Sequence, residues 1–117
     1  MVRFICYPKC STCKKAMNWL EENNIAFELR NIKENNPSID EIKEWHNKSN
    51  LPLKKFFNTS GLLYKSLELK DKLPRMNEDE QLTLLASDGM LVKRPILVKD
   101  DTVLVGFKES EWAEKLL

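Results

Sequence analysis

The first thirty residues constrain the fold of this chain more than any other segment. Residues 2–7 are a short, apolar, β-prone run that predicts a buried strand, and Pro8 and Lys9 interrupt it. Between residues 11 and 23 the apolar positions recur at helical spacing, which predicts a helix. Every second residue of 25–30 is then large and apolar, which predicts another strand. A strand–helix–strand unit places its two strands parallel, which indicates an α/β fold.

The rest of the chain is helical in its middle and returns to strands near its end. A capping-box pattern at Ser38 and a second start signal at Asn77 predict helices, with no repeat or flexible linker between them. Residues 95–98 and 102–105 are two β-prone runs around a short polar turn, which predicts an antiparallel hairpin. The helical spacing of the apolar residues in 108–117 predicts a closing helix.

The order of these elements predicts a particular α/β layout. A βαβ unit, a run of helices and a ββα unit together predict a thioredoxin-like fold with a glutaredoxin-like, four-stranded mixed sheet. The run of helices, over about residues 38–90, would be an all-helical insert. A length of 117 residues with 42% hydrophobic residues fits one domain over 1–117 and excludes a disordered chain.

Charge and hydropathy limit the partners of such a domain. Nineteen basic and eighteen acidic residues give a formal net charge of +1. The chain therefore lacks the excess positive charge that direct binding to nucleic acid or to an anionic membrane requires. No apolar run approaches the roughly 18 residues that cross a bilayer. Charged residues come too early for a secretory signal peptide. We therefore expect a soluble, cytoplasmic protein.

The three cysteines, Cys6, Cys10 and Cys13, all lie within the first thirteen residues, unlike the cysteines of secreted disulfide scaffolds. Cys10 lies where the first strand gives way to the first helix, and the free N–H groups and dipole of a helix N-terminus favour a thiolate. Lys9 and Lys14 add positive charge nearby. Cys13, one turn further on the same face, is close enough to form a disulfide and is expected to be more buried. These residues predict Cys10 as the nucleophile and Cys13 as the resolving thiol.

Two other interpretations of the CxxC segment remain open. It could be half of a zinc site, but there is no second CxxC and only one histidine, so we expect no metal. It could also be a pair of inert core cysteines, which the strand–CxxC–helix context disfavours. Cys6 lies inside the first strand and is predicted to be a small buried hydrophobe.

The chain resembles a known family in four segments. It resembles the ArsC/Spx family, arsenate reductase-like proteins of thioredoxin fold, over nearly its whole length and is most similar to the short members. The segments that carry the resemblance are 7–16, 56–61 with Tyr64, 85–95 and 105–108. As a set these segments are specific, whereas a CxxC alone is not.

The resemblance implies roles for several residues of the site. In such folds the proline that matches Pro95 follows a cis bond and packs against the CxxC segment, and Arg94 faces the thiolate. Glutaredoxin-linked arsenate reductases surround an oxyanion with one cysteine and three arginines. Cys10 and Arg94 match that pattern, but the other two arginine positions fall on Asn58 and Gly106. Asn58 is therefore the expected neighbour of the anion site.

The resemblance also implies a function. The first expectation is a thiol–disulfide oxidoreductase of the ArsC family, working as a glutaredoxin-linked arsenate reductase. It would be a monomer without a bound cofactor, whose partners are small thiols or a thiol reductase, with glutathione and glutaredoxin, or thioredoxin, as the reductant. The alternative is a redox-switched transcriptional regulator of the Spx kind, which binds the α-subunit of RNA polymerase. Those regulators generally continue past the last helix, whereas this sequence ends at Leu117.

Overall fold

The computed structural model describes residues 2–117, and its elements follow the predicted order. Four strands form the sheet: β1 Val2–Cys6, β2 Phe27–Asn31, β3 Ile96–Lys99 and β4 Thr102–Val105. The α-helices of the described residues are α1 Ser11–Glu22, α2 Ile39–Ser49, α3 Leu62–Ser66, α4 Leu69–Lys72, α5 Glu78–Ser87 and α6 Glu109–Leu116. Short 3-10 turns lie at Leu53–Phe56, Leu73–Arg75 and Gly89–Leu91.

The sheet is mixed and has the strand order β2-β1-β3-β4. β1 and β2 run parallel, with Val2 opposite Phe27, as the strand–helix–strand pattern predicts. β3 pairs antiparallel with both β1 and β4, and Lys99 lies opposite Thr102 at the hairpin turn. The thioredoxin-like layout predicted from the sequence is therefore confirmed.

Helices cover both faces of this sheet, and β1 contributes to both cores. Because successive side chains of a strand point to opposite faces, Ile5 packs in one core while Phe4 and Cys6 pack in the other. The first core joins the sheet to the helical segment between β2 and β3. The second core lies under α1 and α6, where Leu20 and Trp112 are fully buried.

Two of the helices begin with complete capping boxes, as the sequence predicts. At the start of α2, the Glu41 N–H donates to Ser38 Oγ at 3.2 Å and the Ser38 N–H donates to Glu41 Oε1 at 3.0 Å. Asn77 and Glu80 make the equivalent pair of bonds at the start of α5. Each box satisfies two N–H groups that a helix start leaves unpaired. No helix within residues 2–117 combines the length and hydropathy needed to span a membrane.

The alternating pattern over residues 25–30 gives the strand but not its burial. The strand covers Phe27–Asn31, and the side chain of Leu29 is 49% exposed. Leu29 lies opposite Phe4, on the face covered by α1 and α6. The core of that face is centred on β1, β3 and β4, so the edge strand β2 receives less cover than its pattern suggests.

Candidate active site

A cleft of about 850 Å³ opens beside the first turn of α1. Its lining residues lie within 10–12, 58–63, 88–94 and 105–108. These stretches are distant in sequence, and they overlap the four segments on which the family resemblance is based. The fold therefore brings those segments together around one space, which makes this cleft the candidate site.

Cys10 lies at the N-terminus of α1 and borders the cleft. It is the N-cap residue of α1, with φ −83° and ψ 126°, and its side chain makes no capping hydrogen bond. Its backbone N–H donates to the Tyr7 carbonyl at 2.9 Å, which fixes the turn between β1 and α1. The thiol is free and partly exposed. The structure thus places Cys10 where the unpaired N–H groups of a helix start favour a thiolate.

Cys13 lies one turn further along α1 and is fully buried. The Tyr7 N–H donates to Cys13 Sγ at 3.3 Å. A hydrogen bond with Cys6, together with burial, raises the pKa of Cys13 well above its usual range. The interaction with Cys10, one helical turn away, acts on this pKa in the opposite direction. Cys13 is therefore a protonated, protected thiol next to an open one.

Cys6 is fully buried at the end of β1, as the sequence predicts. The sequence gives no direct indication that the thiol of Cys6 interacts with Cys13. Hydrogen bonding with Cys13 nevertheless lowers the pKa of Cys6. The available signal is the alternation of β1, which places Cys6 on the face that α1 covers. The thiol of Cys6 therefore packs on the core side of the CxxC pair.

Arg94 borders the same cleft, and the bond between Arg94 and Pro95 is cis. The guanidinium carbon of Arg94 lies 5.2 Å from the centre of the Tyr7 ring, and Nη1 lies 4.0 Å from Met90 Sδ. Its Nε is buried and has no hydrogen-bond partner. Pro95 is buried behind the cleft, where its carbonyl accepts from the Gly106 N–H at 2.8 Å. The guanidinium therefore retains hydrogen-bonding capacity beside the thiol site.

Asn58 and Gly106, where the resemblance implies the other two arginine positions, both line the cleft. The Asn58 N–H donates to the Leu91 carbonyl at 2.8 Å, which fixes that wall of the cleft. Gly106 has φ +76°, in the left-handed region where a side chain is strained. A glycine adopts this conformation without strain.

Two lysines that the sequence did not single out line the cleft. Lys9 and Lys14 are exposed, and neither belongs to the lining of the cleft, whereas Lys93 and Lys108 do. Proximity in sequence to Cys10 was the basis for Lys9 and Lys14, but exposed side chains beside a helix start need not turn into the cleft. Within residues 2–117, no group of three or more His, Cys, Asp or Glu side chains is arranged to hold a metal ion.

Fold and site together define a class of protein: a thioredoxin-like α/β domain with a pair of cysteines at the start of its first helix. The sequence profile of the ArsC family matches residues 6–115, so the chain belongs to the ArsC family. It is 55% identical over 111 residues to the protein YusI of Bacillus subtilis (strain 168), an alignment that covers 95% of this chain and 94% of that protein. It is 34% identical to the global transcriptional regulator Spx 1 of Oceanobacillus iheyensis, over 95% of this chain and 83% of the regulator.

Solved structures agree with this assignment. An ArsC-family-related protein from Bacteroides fragilis matches with a TM-score of 0.94 and 55% identity, over 97% of this chain and 95% of the other. The arsenate reductase from Vibrio cholerae matches with a TM-score of 0.85 and 26% identity, over 99% and 97% of the two chains. This chain is thus similar both to a protein described as an arsenate reductase and to a protein described as a transcriptional regulator.

Proposed function

We propose that this chain is a thiol–disulfide oxidoreductase in which Cys10 attacks and Cys13 resolves, and that it works as a glutaredoxin-linked arsenate reductase. The observation that carries the proposal is the contrast between the two thiols. Cys10 opens to a cleft at the N-cap of α1, while Cys13 is buried one turn further along the helix. A nucleophile needs access and a stabilised thiolate, and a resolving thiol needs proximity and protection.

On a disulfide substrate the chemistry takes two exchange steps. The Cys10 thiolate attacks one sulfur, the other sulfur leaves as a thiolate, and a mixed disulfide forms at Cys10. Cys13 then loses its proton and attacks Cys10 Sγ, which releases the second substrate thiolate and leaves the Cys10–Cys13 disulfide. The substrate gains two electrons and the two cysteines lose two. An external thiol, such as glutathione with glutaredoxin, or thioredoxin, restores the reduced pair.

Arsenate would enter the same sequence as an oxyanion. Cys10 attacks arsenic and an oxygen leaves as water, and the attack of Cys13 on Cys10 Sγ then expels arsenite with two more electrons on arsenic. Arg94 and Lys93 supply positive charge at the cleft, and the first turn of α1 supplies free N–H groups. The similarity to the Vibrio cholerae arsenate reductase supports this choice of substrate.

The direct test is reduction of arsenate with glutathione and glutaredoxin by three forms of the protein. We expect turnover with the wild type and at least a hundredfold loss with Cys10→Ser, because no other thiol reaches the cleft. Cys13→Ser should instead accumulate a mixed disulfide at Cys10, visible by intact-mass spectrometry. Full activity of Cys10→Ser would exclude the mechanism. Reduction of a model disulfide without reduction of arsenate would retain the oxidoreductase and exclude arsenate as substrate.

A second candidate function is a redox-gated regulator that binds the α-subunit of RNA polymerase. The identity of 34% to the Spx 1 regulator, over 95% of this chain, favours it. The same Cys10–Cys13 pair would then act as a switch and not as a turnover site. Pull-down with the C-terminal domain of the α-subunit separates the two functions. Specific binding that changes on addition of dithiothreitol would support the regulator, and binding that is absent in both redox states would exclude it.

A further inference from the structure

Three thiols form one contiguous group where β1 passes into α1. Cys6 ends β1, Cys10 caps α1 after a loop of three residues, and Cys13 lies one turn into the helix. Cys13 is the middle member, since it shares a buried core cluster with Cys6 and lies one helical turn from Cys10, which packs against the same cluster. The two-thiol mechanism uses only Cys10 and Cys13 and leaves Cys6 without a role.

The environment of Cys6 and Cys13 is closed and apolar. Cys6 and Cys13 are both fully buried, and they share one core with Ala16 and Leu20 of α1. The Tyr7 N–H, from the residue that follows Cys6, donates to Cys13 Sγ and holds that sulfur against the end of β1. Cys6 is therefore packed beside the sulfur that an oxidised CxxC pair would present to the core.

We propose that Cys6 is a third redox thiol, which takes the disulfide from the CxxC pair into the core. The proposal rests on the Cys10–Cys13 disulfide of the proposed function. Cys6 loses its proton and attacks Cys13 Sγ, the Cys10–Cys13 bond breaks, and Cys10 leaves as a thiolate. One disulfide is exchanged for another, one proton is released, and no external oxidant or reductant takes part.

The direction of attack follows from the positions of the three sulfurs. Exchange is fastest when the leaving thiol is a stable thiolate, and Cys10 leaves at the N-terminus of α1, where the helix favours its anion. Burial of Cys6 slows the attack, so we expect exchange over minutes to hours. The product would keep its disulfide in the core, shielded from bulk thiols, while Cys10 is free in the cleft to form a mixed disulfide with a small thiol.

Tryptic cleavage distinguishes the two disulfides without ambiguity. Cleavage after Arg3, Lys9 and Lys14 places Cys6 alone in peptide 4–9 and the other two cysteines together in peptide 10–14. A Cys10–Cys13 disulfide therefore lowers the mass of 10–14 by two hydrogens. A Cys6–Cys13 disulfide links the two peptides and leaves Cys10 open to alkylation.

The experiment incubates dilute, oxidised, native protein with iodoacetamide, which captures Cys10 whenever exchange frees it. After quenching in acid and digestion, we expect peptide 4–9 linked to peptide 10–14 with one alkyl group. The linked product should accumulate at a rate independent of protein concentration and at least ten times faster than any alkylation of oxidised Cys6→Ala. Cys6→Ser is the second control, in case the alanine variant fails to fold.

Two results would overturn the proposal, and they differ from each other. If peptide 10–14 carries its internal disulfide at the start and wild type stays as unlabelled as the Cys6 variants, Cys6 takes no part although the proposed function holds. If that internal disulfide never forms under oxidant, the proposed function fails and the transfer to Cys6 fails with it.

Discussion

At the scale of single residues, burial makes two identical thiols chemically different. Cys10 and Cys13 are three residues apart on one helix, yet Cys10 borders a cleft and Cys13 is enclosed by the second core. Hydrogen bonding to Cys6 and burial keep Cys13 protonated by raising its pKa, while the first turn of α1 favours the anion at Cys10. The difference between the two thiols, on which their proposed roles rest, thus comes from position and not from residue type.

Arg94 offers the sharpest prediction at this scale. Its guanidinium lies over Tyr7 with Nε unpartnered, and it carries a full positive charge at every working pH. One such charge in a partly exposed cleft should stabilise the Cys10 thiolate by about 1.4 kcal/mol, a factor of about ten. Arg94→Ala should therefore slow alkylation of Cys10 by iodoacetamide at pH 7 by up to tenfold.

The control for this prediction is Arg94→Lys, which keeps the charge and gives up the planar guanidinium. It should restore most of the alkylation rate, and both variants should show the far-ultraviolet circular dichroism of wild type. Equal rates for wild type and Arg94→Ala across the pH range would show that the start of α1 and other cations stabilise the thiolate without Arg94.

The sequence located the two cysteines of the candidate site better than it located the residues around them. A strand–CxxC–helix pattern places Cys10 and Cys13 because backbone geometry alone determines that arrangement. Which lysines enter the cleft depends on loops that meet only in the folded chain, so Lys93 and Lys108 could not be found from their distance to Cys10 in sequence. Whether Cys6 touches Cys13 likewise depends on how α1 packs onto β1.

At the scale of elements, one ion pair ties α2 to β2. Arg30 Nη2 lies 2.9 Å from Glu41 Oε1 and Arg30 Nη1 lies 2.5 Å from Glu41 Oε2, a two-point contact that joins the strand to the capping box of the helix. The hydrogen bond from Arg30 lowers the pKa of Glu41 to about 2. The capping box was evident from Ser38 and Glu41, but the arginine partner depends on the packing of α2 beside the end of β2.

Glu41→Gln tests that contact. The pKa of Glu41 lies below its usual value near 4.3, so its carboxylate stabilises the fold above about pH 4.5, and this stabilisation is lost as pH falls toward 2. Because the pair is partly exposed, we expect a loss of about 1–2 kcal/mol in the free energy of unfolding at pH 7. Urea unfolding of wild type and variant should converge as the pH approaches 2.

Glu80→Gln is the matched control, since Glu80 has the same place in the capping box of α5 but has no arginine partner among the described residues. It should lower the free energy of unfolding at pH 7 by about 0.5 kcal/mol or less. A pH-independent gap between wild type and Glu41→Gln would mean that packing, and not the charge pair, stabilises this junction.

The strands show where pattern reasoning fails at this scale. Alternation of large apolar residues predicted β2 as a strand, because a period of two is a property of the strand itself. The burial of Leu29 was not predictable from that period, because it depends on how far α1 and α6 extend over the edge of the sheet. The hairpin of β3 and β4 was simpler, since its two strands are joined by one short turn.

At the scale of the whole molecule, the second core connects the sheet to the wall of the cleft. Trp112 of α6 packs edge-on against Phe4 of β1 and Trp19 of α1, with ring centres 6.3 and 6.1 Å apart. Its indole N–H donates to the Gly106 carbonyl at 3.1 Å, and Phe107 stacks edge-on at 4.9 Å. Gly106 and Phe107 both line the cleft, so a single buried side chain holds that wall against the core.

Trp112→Phe should therefore weaken both the core and its tie to the cleft. The smaller ring leaves a cavity and removes the only indole donor to the Gly106 carbonyl within the described residues, which together should cost about 2–3 kcal/mol in the free energy of unfolding. Trp19→Phe removes a similar volume from the same cluster, but the N–H of Trp19 makes no hydrogen bond within residues 2–117, so its cost should be smaller by about 1 kcal/mol. Urea denaturation followed by circular dichroism measures both. Equal destabilisation by the two substitutions would show that ring packing alone fixes the wall and that the hydrogen bond to Gly106 adds nothing.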